Sequence, residues 1–223
     1  MKVLVIGADS ALSAAIINDL GQSGTPYVAT SRRKESVHYV LDVSDFESIS
    51  VQLKKIVSEH PDITHLIYTP AISADGITHR VNVNKWQEVF GVNLFGATAV
   101  VNALLPHFMK NKHGHIQLVS SSSSINPELY AAAYSASKSA LASYAKSIAQ
   151  EYARFGITCY AFSPGFFSGG MADQSSSKRI AHIESRIPRG KMAVKEEVAQ
   201  FSIQLLKSTH YINGSNIIFN GGM

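Results

Sequence analysis

The sequence predicts an α/β fold built on a doubly wound parallel β-sheet with helices on both faces. Three observations lead there. Short apolar runs alternate with segments of helical period from end to end, the pattern of repeated β–α–β units. The first run, residues 2–6, ends at Gly7 and passes directly into a helical segment at residues 11–22. No linker rich in Pro, Gly or Ser and no internal repeat divides the 223 residues, so 1–223 reads as one domain.

Taken in order, residues 2–6 form the first strand and residues 11–22 a helix of 3.6-residue period. Runs at 26–30 and 37–41 are the next strands. Residues 44–59 place Phe46, Ile49, Leu53, Ile56 and Val57 on one helical face, and Ser44 followed by Glu47 has the form of a capping box. A strand at 64–68 leads through a turn-rich stretch, 70–83, into a long helical region at 84–110. A strand at 115–119 precedes a helix at 130–154 that is rich in Ala and free of Gly and Pro. After a strand at 157–162, residues 166–192 are poor in regular pattern, with Gly169-Gly170 and three consecutive serines. A helix at 195–207 and a strand at 216–219 complete the chain. Right-handed crossovers between such strands wind the sheet in both directions.

Hydrophobic residues make up 45% of the chain and charged residues 16%, enough apolar side chains for a sizeable core. No apolar run approaches the length of a membrane span, and the N-terminus enters a strand without a signal-peptide cleavage site, so no membrane partner is expected. Cys159 is the single cysteine; it excludes an intrachain disulfide, suits a reducing cytoplasm and reads as a buried core thiol. The formal charge of +4 is mild, and the basic clusters Arg32-Arg33-Lys34 and Lys178-Arg179 lack interleaved aromatics, which argues against nucleic acid. The nine histidines have no metal-ligand spacing; His113 and His115 lie in a polar turn entering a strand, and no metal site is expected.

The chemistry is carried by residues 121–138. Tyr134 and Lys138 project from one helical face, four residues apart. A tyrosine ordinarily keeps its proton to about pH 10, and a neighbouring ammonium lowers that value, which suits the pair to acid–base work on an alcohol or carbonyl. Ser121, at the end of the strand before this helix, can hold the substrate oxygen against the phenol. YxxxK alone is more often just a helix with a Tyr and a Lys. It gains weight from the features in order around it.

At the other end of such a sheet, a dinucleotide places its pyrophosphate on the N-terminus of the first helix. The turn here is Gly7-Ala8-Asp9-Ser10-Ala11-Leu12-Ser13. Gly7 supplies the tight turn, and Ala11 and Ser13 stand where a G-x-x-x-G-x-G loop has its later glycines. Ala11 still lets the backbone approach a phosphate, and the Ser13 hydroxyl can donate to one. The second strand ends Thr30-Ser31-Arg32-Arg33 with no acid, so the guanidinium groups favour the 2′-phosphate of NADP(H), with NAD(H) the alternative. Asp9 argues mildly the other way, because a carboxylate in the phosphate turn repels that group. Asp42-Val43 follows the third strand, where the carboxylate can accept from the adenine amino group.

With these residues in view, the chain resembles the short-chain dehydrogenase/reductase family from Met1 to Met223. The marks are Gly7, Asp42-Val43, Asn93 in Val92-Asn-Leu-Phe-Gly96, Ser121 and Tyr134-x-x-x-Lys138. Pro164-Gly165, Ile187-Pro-x-Gly190 before Glu196-Glu197-Val-Ala199, and the ending 212–222 follow. The resemblance implies a Rossmann-like fold and a ketone–secondary alcohol oxidoreductase. In it Tyr134 exchanges the proton, Lys138 lowers its pKa and binds the nicotinamide ribose, Ser121 holds the carbonyl oxygen and Asn93 positions a water. It further implies cofactor contacts from Gly7, Asp9, Ser10, Ala11, Leu12, Ser31, Arg32, Arg33, Asp42, Val43, Pro70, Ala71, Pro164, Gly165 and Phe167. It also implies a dimer or tetramer packed through the helices near 84–110 and 130–154.

Three departures stand out. Tyr68-Thr-Pro-Ala71 replaces the family's Asn-Asn-Ala-Gly: Tyr68 cannot make the small amide contacts that support the cofactor loop, and Pro70 lacks an N–H. Gly169 stands where a threonine often contacts the nicotinamide amide. The Gly7-x5-Ser13-x-Ala15 spacing is similar to that of divergent enoyl reductases, but those separate Tyr and Lys by six residues and position 131 here is Ala. Residues 166–192 are expected to cover the substrate, with Phe166, Phe167 and Met171 as an apolar wall. Lys178, Arg179, His182 and Arg186 either meet an anion or face solvent. Two rivals to the oxidoreductase reading are a weakly catalytic or inactive nucleotide-binding protein with a regulatory role, and a sugar-nucleotide epimerase or dehydratase. The second is disfavoured because only about thirty residues follow Ala193, too few for its substrate domain.

Overall fold

The computed structural model describes residues 1–33, 37–170, 176–208 and 210–223. In chain order, Val3–Ile6 is β1, Ala11–Gln22 α1, Tyr27–Ser31 β2, Tyr39–Val40 β3, Phe46–Glu59 α2 and His65–Tyr68 β4. Val83–Phe90 (α3) runs through a π-helical turn, Gly91–Phe95, into Gly96–Asn111 (α4). Gly114–Val119 (β5), Ala132–Tyr152 (α5), Ile157–Pro164 (β6), Phe167–Ser168 (β7) and Ser177–Arg186 (α6) follow. Ala193–Val194 (β8), Lys195–Leu206 (α7) and Asn216–Phe219 (β9) close the chain.

Seven strands pair in parallel in the order β3-β2-β1-β4-β5-β6-β9. The chain winds outward from β1 to β3, then crosses to β4 and winds the other way, so the sheet's switch point lies between β1 and β4. Successive residues of β1 feed two cores. Leu4 and Ile6 join Leu53 of α2, Leu104 of α4 and Leu141 of α5, while Val3 and Val5 join Ile16 of α1 and Ile203 of α7. A strand covered on both faces reads as an unbroken apolar run, which is why β1 carries no polar alternation.

The expected elements are present, and their boundaries move for identifiable reasons. The third strand shrinks from 37–41 to Tyr39–Val40, because this edge strand pairs only through Thr30↔Tyr39 and Ser31↔Val40. The capping box at Ser44 does not form: Asp45 caps α2 by accepting from the Ser48 N–H, and Ser44 instead gives its N–H and hydroxyl to Asp42. The helix expected from 130 starts at Ala132, since Tyr130 sits at φ 66° in the left-handed region. The segment 166–192 contains α6, capped by Ser176, with Ile183 and Ile187 buried. Its short strand β7 pairs with β8. Met171 and Lys34 lie outside the described residues.

The helical region 84–110 is not one α-helix. The Tyr68 hydroxyl donates to the Val92 carbonyl, within the π-turn, at 2.6 Å. Gly96 is required just beyond, because a Cβ there would lie 2.6 Å from the Val43 carbonyl oxygen and 2.8 Å from the Tyr68 hydroxyl. By length and composition alone, Val83–Asn111 is apolar enough to cross a membrane. In the fold Val100, Val101, Leu104, Leu105 and Phe108 are buried against the sheet.

Cys159 is fully buried in the core. Among the described residues no group of three or more His, Cys, Asp or Glu is placed to hold a metal ion. The histidines nonetheless meet. Parallel register sets His65 of β4 beside His115 of β5, and their rings stack 5.2 Å apart. His113 and His210 complete the group at 5.1–5.9 Å, and Tyr160 of β6 meets His115 edge-on at 5.3 Å. Burial pushes His65 down to about 3 and His115 down to about 4, reinforced by the other imidazoles and, for His65, by the N-terminal ammonium. The unfolded chain therefore binds more protons than the folded one between those values and the ordinary 6.5. Stability from these rings is full above pH 6.5 and falls as the pH drops below it. Between pH 8 and pH 5 the two rings together are expected to remove on the order of 3–4 kcal/mol. Urea unfolding at both pH values checks this: His115→Phe, which keeps the packing on Tyr160, should lose about half of the wild-type difference. Equal differences in the two proteins would reject the account.

Candidate active site

The strands end at one edge of the sheet, and their following loops enclose a cleft of ≈ 330 Å³. Ser10, Ala11 and Leu12 come from the turn after β1, Thr69 and Ala71 from that after β4, and Val119 to Ser123 from β5 and its loop. Tyr134 and Lys138 stand on α5, and Pro164, Gly165, Phe166 and Phe167 follow β6. Ten of the nineteen catalytic and cofactor residues expected from sequence line this cleft; Gly7, Asp9, Ser31, Arg32, Arg33, Asp42, Val43, Pro70 and Asn93 do not.

Tyr134 and Ser121 line the same cleft, close enough for the Ser121 hydroxyl to act on the Tyr134 phenol. Ser121 also accepts from the Ser123 N–H at 3.1 Å, which holds its side chain at the start of a short 3-10 turn. Lys138 lies one helical turn beyond Tyr134, only 1% exposed, with its Nζ donating to the Val119 carbonyl at 2.7 Å. Ser120 donates to the Lys138 carbonyl at 2.9 Å and binds α5 to the same strand end.

The electrostatics correct one expectation. Burial raises the Tyr134 phenol above its ordinary value; the Ser121 hydrogen bond pulls it back and the Asp75 charge adds to the rise. Lys138 does not lower it, because burial pushes the lysine itself down to about 7 and its Nζ is turned to Val119, 5.8 Å from the Tyr134 ring centre.

Asn93 is fully buried in the π-turn, and its amide is engaged on three sides. It accepts from the Ile72 N–H at 2.8 Å and donates to the Ile72 carbonyl and to Ser137, each at 2.9 Å. Ser137 in turn donates to the Tyr134 carbonyl at 2.7 Å. The side chain therefore holds the loop after β4 against α5 rather than reaching into the cleft.

The nucleotide turn also differs from expectation. Gly7 sits at φ 88°, and a Cβ there would meet Pro70 at 2.7 Å, so glycine is required twice over. The Ser13 hydroxyl is not offered to a phosphate: it is fully buried and bonds Thr69 and Ser10, each at 2.7 Å. Thr69 donates to the Ile6 carbonyl at 2.7 Å, so the altered Tyr68–Ala71 segment supports the loop through a hydroxyl where amide contacts were expected to be missing. Asp9 faces the end of β2 and accepts from Ser31 at 2.5 Å, while Ser31 accepts from the Arg33 N–H. It does not line the cleft, and neither does any carboxylate among the described lining residues. Asp42 accepts twice from Ser44; burial opposes its charge, but those bonds and the Arg32 guanidinium hold its carboxyl below the usual range. Arg32 and Arg33 are exposed beside this end, and the Val43 side chain is buried in the core. Gly165 packs on Asn220, and its N–H donates to the Phe219 carbonyl.

Lys178, Arg179 and His182 lie on the exposed side of α6, and Arg186 forms a bidentate pair with Glu128 at 2.7 and 3.0 Å. They face solvent rather than the cleft. Sequence reasoning missed Thr69, Ser120, Ser122 and Ser123 as parts of the site. The run of serines after residue 119 was the visible signal for three of them; Thr69 was read only as a lost asparagine.

A helix N-terminus at the switch point of a parallel sheet, beside a Ser–Tyr–Lys group in one cleft, defines an oxidoreductase that uses a nicotinamide dinucleotide on CH–OH/C=O groups. The residues fit that group: an ammonium with donors to spare, small side chains at the first turn of α1, and arginines at the end of β2. The chain belongs to the short-chain dehydrogenase/reductase family. A family model described as enoyl-(acyl carrier protein) reductase matches residues 7–223. The 3-oxoacyl-(acyl-carrier-protein) reductase FabG of Escherichia coli is 28% identical over 99% of this chain and 96% of its own length. That of Thermotoga maritima is 29% identical, again over 99% and 96%. A solved structure titled "ElxO with NADP Bound" superimposes with a TM-score of 0.90 at 22% identity, covering 99% of this chain and 97% of that one.

Because Lys138 is held near 7, raising the pH through that value removes its ammonium in the protein before ligands bind. The expected outcome is a kcat/KM for carbonyl reduction that declines above about pH 7. A profile flat to pH 9 would show that Lys138 keeps its charge.

Proposed function

We propose that the protein is an NADP(H)-dependent reductase that interconverts a ketone and a secondary alcohol, with a 3-oxoacyl thioester as the favoured substrate class. The convergence of Ser121, Tyr134 and Lys138 on one cleft, with the Ser121 hydroxyl acting on the Tyr134 phenol, carries this reading. The dinucleotide supplies the hydride. Ser121 holds the carbonyl oxygen, and Tyr134 transfers its proton to that oxygen as negative charge develops there. Lys138 uses one donor on Val119 and keeps its others for ribose hydroxyls. Asn93 acts as a positioning residue through Ile72 and Ser137.

The thioester class is supported by the relatives' names and by the apolar lining from Phe166 and Phe167, with Ile125 and Leu129 exposed in the loop before α5. NADP(H) rather than NAD(H) is supported by Arg32 and Arg33 and by the cofactor named for the structural neighbour. Asp9 at the same strand end opposes it, and the arginines outnumber it. A cytoplasmic homo-oligomer packed through α4 and α5 belongs to the same proposal, with the exposed Phe95 as its apolar contact; sedimentation equilibrium reads the assembly state.

The test is NADPH oxidation with acetoacetyl-CoA and, separately, crotonyl-CoA. Turnover of the first is expected, with Tyr134→Phe lowering kcat by about 10²–10⁴-fold while the fold persists. Turnover of crotonyl-CoA alone would favour the enoyl reduction named by the family model. NADPH binding with no turnover across a panel of carbonyl substrates would favour the nucleotide-binding, non-catalytic reading. Arg32→Ala is expected to weaken NADPH about tenfold or more and NADH little, by fluorescence titration. Equal losses would show that Arg32 does not read the 2′-phosphate.

A further inference from the structure

We infer that Thr69 is a positioning residue for the dinucleotide, acting with Ser13 as a hydroxyl strut that replaces the missing glycine-loop architecture. The inference rests on the proposed dinucleotide-binding function. Three hydroxyls form a chain from Ser10 through Ser13 to Thr69, with both links at 2.7 Å. Each hydroxyl has one proton, and the chain has a fixed end. Thr69 gives its proton to the Ile6 carbonyl at 2.7 Å, so Ser13 must donate to Thr69 and Ser10 must donate to Ser13. Ser10 simultaneously accepts from the Ser13 N–H at 3.1 Å as the cap of α1.

The arrangement decides what a phosphate can meet. The Ser10 and Ser13 hydroxyl protons point into the protein, and the N–H groups of Gly7 and Ala8 are engaged by the Thr30 carbonyl. What remains toward the cleft is the opening of α1 at Ala11 and Leu12, whose N–H groups begin the first turn. Those amides are aimed only if the first turn stays fixed to the end of β4, and the strut makes that connection. Ser13 stands where the family has glycine and Thr69 where it has asparagine, and in this fold the two are bonded to each other. Both are buried, Ser13 completely and Thr69 to 6% exposure.

The experiment is a double-mutant cycle of Thr69→Val and Ser13→Ala with two readouts: NADPH affinity by fluorescence, and hydrogen exchange of the 10–14 amides in the protein without nucleotide. Each single variant is expected to weaken NADPH about tenfold and to speed exchange at 10–14, with the double variant no worse than either single. Thr69→Ser should restore both readouts. If the wild type binds NADPH and the single variants bind it equally well, the inference fails while the function stands. Additive losses in the double variant would also overturn it. If the wild type binds no nicotinamide dinucleotide, the functional reading and this inference fall together.

Discussion

The buried bond from Lys138 to the Val119 carbonyl organises the site. An ammonium at 1% exposure is costly to keep charged, and a carbonyl at a strand end is one of few partners available inside the sheet. The bond joins the second turn of α5 to the last residue of β5. Tyr134, one turn earlier on α5, then falls beside Ser121, two residues past that strand end. The same burial pushes the lysine down to about 7. Geometry and proton affinity therefore come from a single constraint.

The altered residues around the nucleotide turn make sense together. Judged one at a time, Tyr68, Pro70 and Ser13 each remove something from the family pattern. In the fold Tyr68 reaches the Val92 carbonyl of the π-turn that carries Asn93. Pro70 packs over Gly7, and Thr69 takes up the hydrogen bonds to the Ile6 carbonyl and Ser13. Asn93 links the same loop to α5 through Ile72 and Ser137. The turn after β4 is thus tied to the nucleotide turn on one side and to the Tyr134 helix on the other, which couples the two halves of the cleft mechanically.

Parallel strands give the sheet two unlike edges. At the carboxyl edge the loops converge on the cleft with hydroxyls and an ammonium. At the opposite edge register stacks His65 on His115, with no carboxylate contributing to the electrostatics of either ring. Acid sensitivity and catalysis are therefore separated by the length of the strands.

Much of this was legible without a fold. The strands and most helices are written in local periodicity, because a strand covered on two faces must be apolar throughout and a helix covered on one side must repeat at 3.6 residues. The Tyr134–Lys138 pair, Ser121 and Gly7 were equally readable, since each depends on spacing along one helix or on a position at a strand end. Tertiary structure decided the rest. Helix α6 escaped because its surface is charged and only Ile183 and Ile187 record its buried side. Asp45 displaced Ser44 as a cap once Ser44 had Asp42 to bond. The π-turn, the Ser10–Ser13–Thr69 chain, the stacked histidines and the raised Tyr134 phenol all arise between residues far apart in sequence. Their physical cause is register and burial, which no local pattern of residues encodes.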